Sequence, residues 1–303
     1  MNTVFPKVQI GQPLRCESLS VFPLSSDAEA TAKYLLEKEA FRSDAIVVKE
    51  VNKDGVVWQL TVENRSPFRV LLLEGTELTG AKQNRVLNCD VLIPFHQTIS
   101  LPVSCVEAGR WRHNSSKFRS SGRHSPSRLR HTLKASVTES LKAKRGHNSD
   151  QRGIWEEVAR QQEKLGVSSI TGAMADTFKS HAARMNDFRK KLAYPEGASG
   201  FAVAVAEKVV SLDLFDKASV CQEMWDRLLS GSILDALEIG SEKRGAEIVD
   251  VERLLALLNN ATWEQYQPIG DGEEYRAECD QAVFASVLSL DGKIIHASVA
   301  AAI

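Results

Sequence analysis

Long apolar runs are missing from this sequence. Its longest strongly hydrophobic stretches last only several residues, well short of the roughly 20 that span a bilayer as a helix. The Met-Asn-Thr-Val start places no basic segment ahead of an apolar one, so no signal peptide is read and a soluble cytoplasmic protein is expected. Cysteine is scarce and scattered. Cys16, Cys89, Cys105, Cys221 and Cys279 form no C-x-x-C pair and stand at no zinc-ligand spacing from a histidine. Reduced, buried thiols are expected, with no metal site. Excess charge of one sign is lacking too: 38 basic against 39 acidic side chains give −1, which excludes a uniformly basic nucleic-acid coat. G-x-S-x-G, H-E-x-x-H, EF-hand and G-x-G-x-x-G patterns are absent. No repeat with a period of about 20–50 residues occurs, so a solenoid is not expected. Nothing implies a cofactor.

What is present is globular. Hydrophobic residues at 43% and charged residues at 25% exclude wholesale disorder, and 303 residues suffice for two packed cores or one elaborate domain. Ser26 and Asp27 are good caps for an early helix carrying Ala32, Tyr34, Leu35 and Leu36 to about Phe41. Strand signals follow. Asp44–Val51 leads through the Asn52-Lys53-Asp54-Gly55 turn to a stretch in which Trp58, Leu60 and Val62 alternate with Gln59, Thr61 and Glu63. Arg69–Leu73, Val86–Ile93 and Thr98–Val106 continue the series. Strands this short and frequent predict an antiparallel sandwich or a similar all-β module.

The composition then changes. Arg110–Arg152 holds twelve Lys or Arg against only Glu139 and Asp150, a local charge of +10 that the rest of the chain offsets with −11. Its opening, Trp111–Arg130, lacks hydrophobic periodicity and reads as a basic flexible loop. Helix signals follow. Leu129, Leu133, Val137 and Leu141 mark one helix. A second starts near Asp150 with Ile154, Trp155, Val158 and Leu165, and a third after Thr171 runs through Met174, Phe178, Met185, Phe188 and Leu192. Then come a strand pair over Phe201–Val210 and helices over Asp216–Glu238 and Val249–Leu258. Strand candidates near Thr262, Tyr275 and Phe284 and a hairpin at Asp291-Gly292 close the chain. The fold class is therefore α+β: an antiparallel, sandwich-like β part over 1–110, a basic loop over 111–130, and a helical and α+β part over 131–303. The two parts share one core or hold separate ones.

Two blocks concentrate chemistry. Glu74-Gly75-Thr76-Glu77-Leu78-Thr79-Gly80-Ala81-Lys82-Gln83-Asn84-Arg85 nearly spells a phosphate-binding P-loop. Ala81 intrudes before the lysine, however, and Gln83 stands where a hydroxyl would hold magnesium, so a Walker-type NTPase is rejected. The block reads either as a polar hairpin loop or as a ligand loop whose Lys82, Gln83 and Arg85 present donors to phosphate or carboxylate. In the second block, Ile99, Leu101, Val103 and Cys105 share a face, which places Cys105 in the core as an inert thiol. The same parity half-buries Glu107, which then needs a partner, with Arg85 and Arg110 the candidates. The pair is either a structural salt bridge or part of a ligand cleft. His113, His124, His131 and His147, spaced by 11, 7 and 16, fit no metal motif. The basic segment is read as solvated charge balance in preference to a nucleic-acid or polyphosphate contact.

The runs Leu71-Leu72-Leu73-Glu74-Gly75, Gly80–Arg85, Leu101–Glu107 with Gly109-Arg110-Trp111, and Leu212-Asp213-Leu214-Phe215-Asp216 resemble the ARG and rhodanese-phosphatase-superfamily-associated protein domain family over most of the chain. The family has no established activity. Its name implies an association with ADP-ribosylglycohydrolase-like and rhodanese- or phosphatase-like proteins, and so a role near ADP-ribose or another phosphorylated nucleotide. The resemblance transfers no catalytic mechanism. The nominated ligand site is Lys82, Gln83, Arg85, Glu107, Arg110 and Trp111, with the indole on a base and the arginines on phosphate. Three readings follow: a protein binding a small anionic ligand, an enzyme on such a ligand with Glu107 or Glu74 as general base, and a ligand-free interaction protein. A homo-oligomer is left open.

Overall fold

Period-2 patterning builds the first half. In the computed structural model, which describes residues 5–26, 32–240, 245–280 and 282–302, the strand β6 (Gln59–Asn64) buries Leu60 and Val62 and half-exposes Gln59, Thr61 and Glu63. Trp58 precedes the strand and stays 61% exposed, so it does not join that face. β6 pairs with β5 (Ile46–Glu50) and β11 (Thr98–Cys105). Further pairing with β12 (Phe118–His124), β8 (Thr76–Gly80) and β9 (Arg85–Leu87) closes the ring in the order β11-β6-β5-β12-β8-β9. The antiparallel part expected as sandwich-like thus takes the form of a closed six-stranded barrel. Leu60, Val62, Leu78, Leu87, Leu101 and Phe118 pack in its core. Beside it lies a three-stranded sheet, β10 (Val91–Ile93), β7 (Arg69–Leu72) and β4 (Tyr34–Leu36), with β4 parallel to β7.

Several expectations are corrected here. Tyr34–Leu36 is a strand, not helix, because its apolar side chains pair beside Arg69–Leu71; the helix α1 is only Glu37–Arg42. The Asp27 half of the expected cap lies outside the described residues. The Val86–Ile93 run is two strands, not one. It breaks at Asn88 and Asp90, whose side chains bond away from the ladder to the His147 carbonyl and the Glu74 amide. The Glu74–Arg85 block is not all loop, since β8 occupies Thr76–Gly80 and buries Glu77 against Arg123. The Trp111–Arg130 segment contains barrel strand β12 and the start of helix α2 (Ser127–Lys142). A strand so polar hides from hydropathy because its buried groups are satisfied by distant partners.

The second half is organised by a nine-stranded antiparallel sheet. Its order is β1 (Gln9–Ile10), β3 (Leu19–Ser25), β13 (Gly200–Val205), β14 (Lys208–Phe215), β18 (Lys293–Ala301), β17 (Val283–Leu290), β16 (Glu273–Cys279) and β15 (Glu264–Tyr266), with β2 (Leu14–Cys16) beside β3. Strands from the start of the chain therefore lie inside the C-terminal sheet. β13 and β14 are the expected Phe201–Val210 pair, turning at Ala206-Glu207, and Asp291-Gly292 turns the last hairpin with both residues at positive φ.

Helices α3 (Gln151–Lys164), α4 (Met174–Ser180), α5 (Ala182–Lys191) and α6 (Ala218–Ile239) pack with α2 on one face. Their cluster includes Leu71, Leu73, Val86 and Leu92 from the barrel half. α7 (Ile248–Asn260) covers the other face through Val251, Leu254 and Leu258. Asp150 caps α3 as expected, accepting from the Arg152 amide. The helix expected after Thr171 breaks at His181 into α4 and α5, and Thr171 is not its cap. α2 follows Pro126, which has no capping side chain, and Asp235 of α6 supplies the acceptor for the Ser127 amide at 2.6 Å. Among the described residues, no helix is long and apolar enough to cross a membrane.

Candidate functional site

The loop between β8 and β9 is held from below by one ion pair. Glu107, just beyond β11, receives Nε and Nη2 of Arg110 at 2.8 and 2.6 Å. The Asn84 amide and the Thr171 hydroxyl donate to the same carboxylate at 3.1 and 3.0 Å. Arg110 also donates to the Ala81 carbonyl at 2.7 Å and to the Asn84 side chain at 3.2 Å, while the Gln83 amide reaches the Glu107 carbonyl at 3.0 Å. The partner that parity demanded for Glu107 is therefore Arg110, not Arg85. Burial alone would raise the Glu107 pKa, but the Arg110 fork and the amide and hydroxyl donors outweigh it and hold the carboxyl below its ordinary range. A carboxylate with its lone pairs so occupied has little basicity for proton abstraction.

Arg85 sits above this frame. It is fully buried, yet its one guanidinium bond to an oxygen acceptor runs from Nη1 to the Gln83 side chain at 3.0 Å, with the Cys105 sulfur a weak further acceptor. Nε and Nη2 have no hydrogen-bond partner, and no carboxylate among the described residues lies within ion-pairing distance. Burial pushes its pKa down; the Cys105 thiol and the Glu50 carboxylate oppose this without forming an ion pair with it. Trp111, 46% exposed, covers the group, with Cζ of Arg85 5.7 Å and Nζ of Lys82 5.2 Å from its ring centroid. Lys82 is anchored by a 2.6 Å bond to the Asp54 carbonyl. Gly55 is required here: it has a φ of +74°, and a Cβ would stand 3.1 Å from Lys82 and 3.4 Å from Trp111. Cys105 is buried beside Arg85, and burial raises its thiol pKa, so it is a poor nucleophile.

Of the nominated residues, the fold brings Lys82, Gln83, Arg85, Glu107, Arg110 and Trp111 together at one end of the barrel. Glu74 is elsewhere. Its carboxylate pairs with Lys134 at 2.9 Å in a closed ionic seam between barrel and large sheet. Arg130 there forks onto Asp213 at 2.8 and 2.7 Å, and Asp213 lies 3.3 Å from His296. His296 in turn contacts Asp90 at 2.7 Å, and Arg276 pairs with Glu274 at 2.6 Å. No member of this group is more than 7% exposed. His124, also buried, is pushed down to about 3 by desolvation, with Arg130 adding to the effect, and its Nε2 faces the Glu74 carbonyl at 2.6 Å. Apart from Glu74, none of the seam's members was nominated as a site residue from the sequence, although Asp213 stands in one of the runs that carry the family resemblance. One signal was available: Asp213 and His296 are single polar residues inside otherwise buried strands, and such residues demand partners.

These features define an α+β protein whose barrel and nine-stranded sheet are joined by buried charge, with a cationic, indole-capped barrel end. The chain belongs to the ARG and rhodanese-phosphatase-superfamily-associated protein domain family, whose model matches residues 7–300. No curated protein and no solved structure matches it.

Proposed function

We propose that the protein binds a small anionic, nucleotide-like ligand at the barrel end formed by Arg85, Lys82 and Trp111. The carrying observation is Arg85: a wholly buried guanidinium with two unbonded nitrogens and no ion-pair partner. Elsewhere in this fold, buried arginines are paired with carboxylates, as Arg110, Arg130 and Arg276 are. A buried cation with no ion-pair partner costs stability unless something else repays it, and an incoming phosphate would do so. Trp111 offers its open face to a base, and Lys82 adds a second cation. Glu107 and Arg110 act as the frame that sets the loop. The family's association adds ADP-ribose to the candidate ligands. Binding is favoured over hydrolysis because the two carboxylates nominated as bases are both engaged, Glu107 by Arg110 and Glu74 by Lys134.

The test is a thermal-shift screen against ADP-ribose, NAD, nucleotides and sugar phosphates with wild type, Arg85→Met and Trp111→Ala. A ligand at 100 times its Kd should stabilise the wild type by about 2.7 kcal/mol. A shift that survives both substitutions places the ligand elsewhere.

A further inference from the structure

The barrel is nearly open at one seam. β5 and β12 are joined by a single residue pair, Val48 with Phe118. Beyond it β12 no longer pairs with β5; its pairing with β8 continues to Ser120 and shifts before His124. Gly122 sits there at a φ of +71°, and the Ser120 and Ser121 hydroxyls accept from the Gly122 and Arg123 amides. The gap that results is a groove of about 780 Å³ between α1, the start of β5 and the Ser115–Gly122 segment.

Four cations line it, Lys38, Arg42, Lys117 and Arg119, against one carboxylate, Asp44. None of the four side chains makes a hydrogen bond or an ion pair with a described residue. Lys117 does lie in the field of Glu63, but that carboxylate is already forked by Arg65 at 2.9 and 2.8 Å. Two of the cations come from α1 and two from the basic segment, so the fold assembles them from residues 75 and more apart in sequence. Like charges gathered around a concavity repel one another, and a bound anion relieves that repulsion. The floor is apolar, formed in part by Phe41 and the buried Ile46 and Val47, and the volume is that of an ordinary small-molecule site.

We infer that this groove is a second anion site, separate from Arg85, that takes a small polyphosphate-bearing molecule across Lys38, Arg42, Lys117 and Arg119. Several cations spread along a groove suit linked phosphates better than a single carboxylate, and the two arginines can each grip a phosphate through paired N–H groups. Glu50, whose carboxylate acts on Arg85, closes β5 at one end, whereas Ile46 and Val47 of the groove begin it; Ser115 of the groove lining accepts from the Ala81 amide of the barrel-end loop.

The experiment is calorimetric titration of the full chain with inorganic tripolyphosphate. Arg42→Ala/Arg119→Ala should weaken binding about tenfold or more, with the melting temperature unchanged because both side chains are exposed. Arg85→Met, which removes any barrel-end contribution, should keep the Arg42- and Arg119-dependent binding. Absence of binding by Arg85→Met, or binding there that is equally tight once Arg42→Ala/Arg119→Ala is added, overturns the groove site. Binding lost only in Arg85→Met also overturns it, while supporting the barrel-end reading. A loss in the double variant alone establishes the groove whether or not the barrel end takes a ligand.

Discussion

Trp111 lies over two cations at once, its ring centroid 5.7 Å from Cζ of Arg85 and 5.2 Å from Nζ of Lys82. The Lys82 ammonium has a carbonyl partner, whereas the Arg85 guanidinium, buried beneath the indole, keeps two nitrogens unbonded. An indole face compensates a buried cation only in part. The arrangement leaves donors unused, and the proposed binding role gives them a use.

That relationship yields a sharp expectation for Arg85→Met. Methionine fills much of the same volume without burying unbonded N–H groups. One charge-assisted bond, to Gln83, is lost, worth about 1.5–3 kcal/mol, and it offsets most of the desolvation cost of two unpaired donors, about 1–3 kcal/mol each, that disappears. Urea denaturation should therefore show stability unchanged or raised by about 1 kcal/mol, while ligand-induced stabilisation disappears. A loss of 3 kcal/mol or more would mark Arg85 as structural.

Glu107→Ala should behave in the opposite way. It leaves the Arg110 cation buried without a carboxylate and releases the Asn84 amide and the Thr171 hydroxyl. The expected loss is about 3–5 kcal/mol. Adding Arg110→Met should recover part of it, because the orphaned charge goes too. Equal stability of the single and double variants in chemical denaturation would refute the frame assigned to this pair.

Much of the architecture was legible because it rests on local periodicity. Leu60 and Val62 alternate in β6, Leu129, Leu133 and Val137 repeat at fourfold spacing in α2, and Asp150 announces the start of α3. What escaped depends on partners far away in sequence. β12 reads as polar loop until its Ser120 is seen against Arg227 of α6, 107 residues on, itself paired with Glu37. Grouping Gln83, Arg85, Glu107 and Arg110 was within reach of strand parity. Deciding which arginine neutralises Glu107 was not, since that depends on how the loop folds back.

Gly231→Ala tests the packing of α6 against the β12–α2 corner. Alanine is the better helix former, so an isolated helix would gain. Here a Cβ at position 231 would fall 2.3 Å from the Ser125 carbonyl oxygen and 2.9 Å from Pro126. Backbone cannot yield cheaply at a corner where Ser125 also bonds the Gly75 carbonyl and Ser127 is capped by Asp235. The substitution should destabilise by about 1–3 kcal/mol or more, read as a lowered urea midpoint. A neutral or stabilising result would show that the close approach is not maintained in solution.

The ionic seam predicts an alkaline loss of stability. Burial alone would lower the His296 pKa, but the Asp90 and Asp213 carboxylates on either side overcome it and hold the imidazolium up to about 9. In the unfolded chain the ordinary value is about 6.5. Because the folded state holds the proton more tightly, the stabilisation is fully present below about pH 6.5 and disappears as pH rises through about 9; its size is on the order of 3 kcal/mol. Asp235, pushed up to about 7 by burial, destabilises as pH rises from about 4 toward 7 and then adds nothing further. The window above pH 7.5 therefore isolates the histidine from that group. Stability measured from pH 7.5 to 10 should fall in the wild type and fall less steeply in His296→Gln, which starts lower because Asp90 and Asp213 lose their shared cation. Parallel slopes in the two proteins would mean that His296 is neutral in the fold, and that Arg130 and Lys134 alone balance the seam's acids on that side of the sheet.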